Sequence, residues 1–79
     1  MKILKFYTDT CMPCKAVGKI LDKIEGIEVT PINAIEDVAN TDKWGVCSTP
    51  TLIFLDGDKE VGRITGMTTE SKIREILGK

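Results

Sequence analysis

Two cysteines separated by two residues are the most reactive feature of the sequence. Cys11 and Cys14 flank Met12 and Pro13 in the segment YTDTCMPCKAV. Thiols at this spacing can exchange a disulfide with a substrate, supply two ligands to a metal ion, or pack as small residues in a core. Residues three apart on a helix have Cβ atoms about 5–6 Å apart, and a disulfide needs about 3.5–4.5 Å. A small adjustment would therefore close a bridge between the two thiols.

The segments on either side of the cysteines predict a strand that leads into a helix. Residues 2–7 read KILKFY, a short apolar and aromatic run that is typical of a buried strand. Residues 12–25 show helical spacing, and Gly26 is placed to end that helix. The apolar stripe of this helix consists of Val17, Ile20, Leu21 and Ile24.

This stripe predicts different surroundings for the two thiols. Cys14 lies three residues before Val17, on the core side, whereas Cys11 lies about 120° away around the helix. We therefore expect an exposed Cys11 and a shielded Cys14, the asymmetry that thiol–disulfide exchange requires. The free N–H groups and the dipole at the helix start should lower the pKa of Cys11 below its usual value of about 8.5. Lys15 would add to this effect, and Asp9 would oppose it.

The middle of the chain predicts a second strand and a short helix. Residues 27–34, IEVTPINA, alternate between apolar and polar, as in a strand with one buried face. Pro31 cannot donate a backbone hydrogen bond, which places this strand near an edge of the sheet or places the proline near a strand end. Residues 35–44 predict a short helix that Gly45 ends.

A hairpin is predicted in the next part of the chain. Residues 51–55, TLIFL, contain four consecutive apolar residues and predict a buried strand. The Asp56-Gly57 pair that follows is a strong signal for a hairpin turn. Residues 60–65 then form the return strand, which is antiparallel to the first.

The last element is a helix that Thr68 or Thr69 caps and that runs through Leu77. Its apolar face consists of Ile73, Ile76 and Leu77. The complete order is β-α-β-α-β-β-α, which indicates an α/β protein. The helix between the first two strands makes those strands parallel.

Length, composition and charge narrow the function further. The 79 residues fit a single domain, 1–79, with 42% apolar and 29% charged residues. A net charge of −1 with mixed signs argues against nucleic acid or a membrane as partner. The longest apolar run, LIFL, is too short to span a bilayer, and no signal-peptide pattern is visible. We therefore expect a cytoplasmic protein, where a CxxC pair is more often catalytic or metal-binding than structural.

Two segments together resemble the thioredoxin superfamily. WGVCSTPTLIFLDGDKEVGRITG, residues 44–66, looks like the latter part of a thioredoxin, and FYTDTCMPCKAV, residues 6–17, looks like its active-site region. The resemblance covers nearly the whole chain, and by size the chain is similar to small thioredoxin-like and glutaredoxin-like redoxins. It implies the thioredoxin fold, a mixed four-stranded sheet flanked by helices.

The resemblance also implies roles for particular residues. Cys11 would be the nucleophile and Cys14 the resolving thiol. Pro50 would be a cis-proline that faces the disulfide, and Thr49 would offer backbone hydrogen bonds to an extended substrate. The family's reaction is the reduction of protein disulfides, so the chain would be a dithiol–disulfide oxidoreductase. A flavoenzyme of the thioredoxin reductase type would restore the dithiol, with no permanently bound cofactor and with a monomer as the default state.

The chain departs from the thioredoxin pattern at several positions. Thr10 stands where thioredoxins carry Trp, and Met12 and Pro13 stand in place of Gly-Pro. We expect Met12 and Pro13 to contact substrate, because an apolar methionine should be exposed between the cysteines. Lys5 aligns with the buried acid that assists proton transfer in thioredoxins. Its stem should pack while its head reaches water, and Cys14 would then lose its proton to water or to substrate.

Three alternatives stay open beside this function. A glutathione-linked, glutaredoxin-like enzyme would normally carry Pro-Tyr between the cysteines and a Gly-Gly and acidic motif before the last helix, where this chain has TGMTTES. A metal-binding or metal-delivery module would use Cys11 and Cys14 with Cys47 as a third ligand and Asp9 or a partner chain as the fourth. A non-catalytic interaction domain on the same fold would need no reactive thiol.

Cys47 is the third cysteine and has no obvious place in the exchange reaction. It lies three residues before Pro50, so we expect it near the active site. It is either a small, partly buried loop residue or a regulatory thiol that can form an inhibitory disulfide. Tyr7 and Trp44 are expected to serve in packing.

Overall fold

The computed structural model describes residues 2–78 and has the predicted order of elements. These are β1 (Lys2–Tyr7), α1 (Met12–Asp22), β2 (Glu28–Asn33), α2 (Val38–Lys43), β3 (Thr51–Asp56), β4 (Lys59–Thr65) and α3 (Glu70–Leu77). The four strands form one sheet in the order β2-β1-β3-β4. β1 is parallel to β2 and antiparallel to β3, and β4 is antiparallel to β3. The predicted mixed sheet with flanking helices is therefore confirmed.

Each face of the sheet carries its own apolar core. Successive residues of a strand point to opposite faces, so Ile3 and Phe54 belong to one core while Leu4 and Ile53 belong to the other. The first core joins β1 and β3 to α1 and α3 through Ile3, Val17, Leu21, Ile24, Leu52, Phe54, Ile73 and Leu77. The second core consists of Leu4, Phe6, Ile32, Ile53 and Leu55, with Trp44 and Val46 packed against it. Burial on both faces explains the apolar run LIFL in β3.

The edges of the sheet are β2 and β4. Pro31 lies in β2, opposite Lys5 of β1, and it is exposed. The prediction that its strand lies at an edge is therefore confirmed. β4 occupies the other edge, and most of its side chains are exposed.

Helix α1 ends earlier than the sequence pattern predicts. Its last residue is Asp22 rather than residue 25, and Lys23 is its C-cap. The N–H groups of Lys23 and Ile24 donate to carbonyls three residues back, those of Ile20 and Leu21, both at 3.1 Å. These bonds tighten the last turn and end the helix, while Ile24 still packs in the first core.

The hairpin turn is shifted by one residue from its predicted position. Asp56 pairs with Lys59, so the two loop residues are Gly57 and Asp58 rather than Asp56 and Gly57. Gly57 has a φ of +65°. The sequence signal located the turn but not its register, because both Asp-Gly and Gly-Asp are typical of two-residue loops.

The two remaining helices begin at side-chain caps. Asp37 caps α2, where its carboxylate accepts from the backbone N–H of Asn40 at 3.2 Å and from the side-chain amide of Asn40 at 2.9 Å. Thr69, rather than Thr68, caps α3 and accepts from the backbone N–H of Lys72 at 3.4 Å. Each cap satisfies one of the N–H groups that a helix start leaves free.

The ends of the predicted single domain, 1–79, include Met1 and Lys79, which lie outside the described residues. The extent of the domain therefore stays a prediction. Within residues 2–78, no helix combines the length and the apolar character that crossing a membrane requires.

Candidate active site

The two cysteines of the CxxC motif lie at the start of α1 and form a disulfide. Cys11 is the N-cap, with extended backbone angles, and Cys14 is the third residue of the helix. Their sulfur atoms are bonded, and their Cα atoms are 5.2 Å apart, within the usual range for a disulfide. The backbone N–H of Cys14 donates to Sγ of Cys11 at 3.2 Å. The sulfur of Cys11 thus takes the place of the oxygen that usually caps a helix.

Burial distinguishes the two sulfur positions. Cys14 is 2% exposed, as the apolar stripe predicts, and lies on the same side of α1 as Val17. Cys11 is half-buried rather than fully exposed. The estimate of about 120° assumed that Cys11 lies within the helix, but a cap residue leaves the helical path. The N–H of Cys11 also donates to the carbonyl of Thr8 at 3.2 Å, which ties it to the end of β1.

The loop before β3 contains the predicted cis bond. The Thr49–Pro50 peptide bond is cis, and Pro50 is buried. Two hydrogen bonds hold this loop: Gly66 N–H donates to the Pro50 carbonyl at 2.8 Å, and the Thr51 hydroxyl donates to the Ser48 carbonyl at 2.6 Å. Thr49 is half-exposed beside the proline. That Thr49 and Pro50 contact substrate stays a prediction.

A small cavity connects this loop to the segment that leads into the cysteines. Its volume is about 250 Å³, and Thr8, Cys47 and Thr49 are among its lining residues. Thr8 is the residue whose carbonyl binds the N–H of Cys11. The chain therefore brings Cys47 close to the active-site segment, although they are far apart in sequence.

Cys47 is exposed and is a free thiol. Its Sγ contacts the carbonyl oxygen of Gly45 at 3.8 Å, a weak hydrogen bond. The expectation of a partly buried loop residue is therefore wrong, because the side chain lies at the rim of the cavity. Whether this thiol is regulatory stays a prediction.

The residues between the cysteines face solvent. Met12 is 71% exposed and Pro13 is also exposed. The predicted exposure of Met12 is therefore confirmed, while contact of Met12 and Pro13 with substrate stays a prediction. An exposed methionine next to a reactive sulfur offers a flexible apolar surface to a partner.

A second cleft is lined by residues of β1, of the loop that follows it and of α1. Its volume is about 230 Å³, and its lining residues are Lys5, Tyr7, Thr8, Asp9, Cys14 and Lys15. Nζ of Lys5 lies 5.5 Å from the centre of the Tyr7 ring. A Cβ atom at Gly18 would lie 2.8 Å from the same Nζ. This use of Gly18 was not predicted, although a glycine four residues after Cys14 in a helix is a visible signal for a close approach.

The alternative of a metal-binding module requires several ligand side chains close together. Within residues 2–78, no three or more His, Cys, Asp and Glu side chains come together as a metal site would need. Two of the three cysteines bond to each other, and the third lies in the loop before β3.

Sequence comparisons identify similar proteins. The family model described as Thioredoxin matches residues 1–79. The thioredoxin of Chlamydia caviae is 27% identical over 79 residues, which cover 95% of this chain and 78% of that protein. The thioredoxin of Staphylococcus epidermidis is 25% identical over 84 residues, covering 100% of this chain and 81% of that protein.

Solved structures show the same architecture. Thioredoxin 1 of Thermosipho africanus is 28% identical and aligns with a TM-score of 0.83 over 99% of this chain and 91% of that one. A mutant thioredoxin of Halobacterium salinarum aligns with a TM-score of 0.90 over 96% of this chain and 70% of that one. At 23% identity, the second likeness concerns the fold alone.

Proposed function

The chain belongs to the thioredoxin family and is a dithiol–disulfide oxidoreductase, and on that premise we propose that it reduces protein disulfides through Cys11 and Cys14. The observation that carries this proposal is the pairing of a more accessible sulfur with a buried one at the start of α1. Cys11 is the nucleophile and Cys14 is the resolving thiol.

The first step uses the thiolate of Cys11. The N–H of Cys14 and the positive end of the α1 dipole both favour negative charge on Sγ of Cys11. The thiolate attacks one sulfur of a substrate disulfide. A bond forms between Cys11 and that sulfur, the substrate S–S bond breaks, and the electron pair leaves on the second substrate sulfur, which takes a proton from water.

The second step releases the substrate. Cys14, as a thiolate, attacks Sγ of Cys11 and forms the disulfide seen in the structure. The bond between Cys11 and the substrate breaks, and the electron pair stays on the substrate sulfur, which is protonated. The substrate has gained two electrons and two protons, and the chain is oxidised.

Substrate recognition is proposed for the surface around the motif. Exposed Met12 and its neighbour Pro13 contact apolar segments of the substrate, and Thr49 pairs with an extended stretch of its backbone. Pro50 holds this backbone at the level of the disulfide. The partners are disulfide-containing proteins rather than nucleic acids or membranes.

Regeneration of the dithiol completes the proposal. An NADPH-dependent flavoenzyme of the thioredoxin reductase type reduces the Cys11–Cys14 disulfide, and the chain, a cytoplasmic monomer, binds no cofactor permanently. The thioredoxins among its relatives support this reductant over glutathione. We expect a reduction potential of about −270 mV or lower, measured against a dithiothreitol buffer. A value of about −200 mV would instead favour the glutathione-linked alternative.

The proposed mechanism is tested by the reduction of insulin with dithiothreitol as electron donor. Cys11→Ser should lower the rate to that of the assay without protein, because the variant lacks the nucleophile. Cys14→Ser, reduced beforehand and then mixed with insulin in the absence of dithiothreitol, should accumulate a mixed disulfide with substrate, which mass spectrometry detects. The matched control is Cys47→Ser, which should keep the wild-type rate. Full activity of Cys11→Ser would contradict the mechanism.

A further inference from the structure

Lys5 is a charged residue in one of the two central strands of the sheet. It lies in β1, and its neighbours in the register are Pro31 of β2 and Leu52 of β3, neither of which is charged. By strand alternation it shares a face with Ile3, which packs with residues of α1 in the first core. The side chain of Lys5 is thus directed toward the same helix that carries Cys14.

Gly18 provides the space for the head of this lysine. A Cβ atom at Gly18 would lie 2.8 Å from Nζ and 3.8 Å from Cε of Lys5, closer to Nζ than real Cβ atoms come. The amine therefore lies against α1 at a point where the helix has no side chain. Gly18 is four residues after Cys14, so the two positions are neighbours on one face of the helix.

Lys5 and Cys14 line the same cleft of about 230 Å³. The other groups with charge or titratable protons in its lining are Tyr7, Asp9 and Lys15. Tyr7 presents its ring to Nζ of Lys5. Asp9 and Lys15 are both exposed, so water screens their charges more strongly than that of half-buried Lys5.

The resolving step requires that the surroundings of Cys14 in this cleft favour a negative charge on its sulfur. Cys14 is almost fully buried, and it must attack as a thiolate. Burial penalises a negative charge unless a positive group or hydrogen-bond donors lie nearby. Lys5 is the cation that reaches this region from the strand side.

We propose that Lys5 is a positioning residue for the resolving step, because its ammonium group stabilises the thiolate of Cys14 while Cys11 is joined to substrate. This inference rests on the proposed role of Cys14 as resolving thiol. Gly18 contributes to this role, because it lets the ammonium group of Lys5 lie against α1.

The step balances without a proton from Lys5. The Cys14 thiol gives its proton to water, and its sulfur attacks Sγ of Cys11. The Cys11–Cys14 bond forms, the bond from Cys11 to the substrate sulfur breaks, and the electron pair leaves on that sulfur. Lys5 takes no part in the proton transfer and supplies only positive charge.

The test measures the two exchange steps separately. In a Cys47→Ser background, the reduced protein is mixed in a stopped-flow instrument with 5,5′-dithiobis(2-nitrobenzoate), whose released thiolate is coloured. The first release follows attack by Cys11, and the second follows attack by Cys14 on the mixed disulfide. Recording both phases from pH 5 to 10 gives a pH profile for each thiol.

Lys5→Met removes the charge and keeps a long apolar side chain. We expect the second phase to slow about tenfold at pH 7 and its pH profile to move up by about one unit, the proportion expected when thiolate is the attacking species. The first phase should change less than the second. Lys15→Met, which removes an exposed cation from the same cleft, is the matched control and should leave the second phase within about twofold of wild type.

A second pair of variants keeps the test independent of folding. Lys5→Arg keeps the charge and should restore the pH profile of the second phase toward that of wild type. Gly18→Ala keeps Lys5 but displaces its amine, and should slow the second phase. An unchanged second phase in Lys5→Met, or in Gly18→Ala should Lys5→Met not fold, would overturn the inference. If the wild-type protein itself showed no second phase, the proposed function would fail instead.

Discussion

At the residue scale, the chemistry of the motif depends on where each sulfur lies relative to one helix. Cys11 is outside α1 as its cap, while Cys14 is inside the helix and buried. The same backbone N–H that closes the cap would stabilise a thiolate on Cys11. Two identical side chains therefore receive different accessibility and different electrostatic surroundings within four residues.

Thiol reactivity of the oxidised protein tests the cysteine assignments. We expect one thiol per chain to react with 5,5′-dithiobis(2-nitrobenzoate), because Cys47 is exposed and free while Cys11 and Cys14 are bonded. Cys47→Ser should abolish this reaction. Prior reduction should add two reactive thiols in both proteins. A reactive thiol in oxidised Cys47→Ser would show that another cysteine is free.

The sequence allowed some of these residue positions to be predicted and not others. The stripe led by Val17 located Cys14 on the buried side, because helical spacing is a local property. Two other positions depend on how the loops fold back, which a local sequence pattern does not predict. These are the half-burial of Cys11 and the location of Cys47 beside Thr8. The approach of Lys5 to Gly18 likewise depends on packing between β1 and α1.

At the element scale, the type and order of the elements followed from periodicity, and their ends did not. The predicted end of α1 was three residues too late because the apolar stripe continues through Ile24, which is buried without being helical. The choice between Thr68 and Thr69 as a cap was open because both are hydroxyl residues. The N-cap of α2 was not predicted, although aspartate is a preferred N-cap residue and Asp37 can accept from the N–H of Asn40, three residues later.

The cap of α2 gives a pH-dependent contribution to stability. Hydrogen bonds from the side-chain amide of Asn40, and then from its backbone N–H, lower the pKa of Asp37 below its usual value. A lowered pKa means that the carboxylate stabilises the fold above the unfolded-state pKa, and that this contribution is lost as the pH falls through the folded-state value.

Asp37→Ala should therefore lower the melting temperature at pH 7 by a few degrees relative to wild type. The difference should begin to narrow below about pH 4, the usual pKa of aspartate in the unfolded chain, and should be smallest once the pH lies below the lowered pKa of Asp37 in the folded protein. Asp42→Ala, in the same helix, serves as the control. Circular dichroism melts between pH 2.5 and 7 make the measurement, and a difference that is constant over this range would contradict the assigned role.

At the scale of the whole molecule, a small chain distributes its core over both faces of one sheet. Proteins have about 0.05–0.15 kcal/mol of stability per residue, or about 4–12 kcal/mol for a chain of this length. Successive core residues of β1 and β3 point to opposite faces of the sheet. These two central strands therefore contribute side chains to both cores. A large loss in either core should therefore affect the entire fold.

Phe54→Ala tests this dependence. Phe54 is 0% exposed in the first core, and truncation of a buried phenylalanine costs about 3–5 kcal/mol. We expect the midpoint of urea unfolding to fall sharply, with loss of a large part of the total stability. Val61→Ala, at an exposed position of β4, should change the free energy of unfolding by less than about 0.5 kcal/mol. Similar effects of the two substitutions would be inconsistent with this core.

The two edge strands affect whether copies of the chain pair through their sheets in a concentrated solution. An open strand edge is a template for pairing with another chain, which leads to aggregation. In β2 that edge contains exposed Pro31, which has no N–H to donate. In β4 it carries exposed charges, including the Glu60–Arg63 pair at 3.1 Å. Both borders therefore discourage fibril-like growth, so a small protein with a single open sheet can be crowded without extending that sheet from one copy to the next.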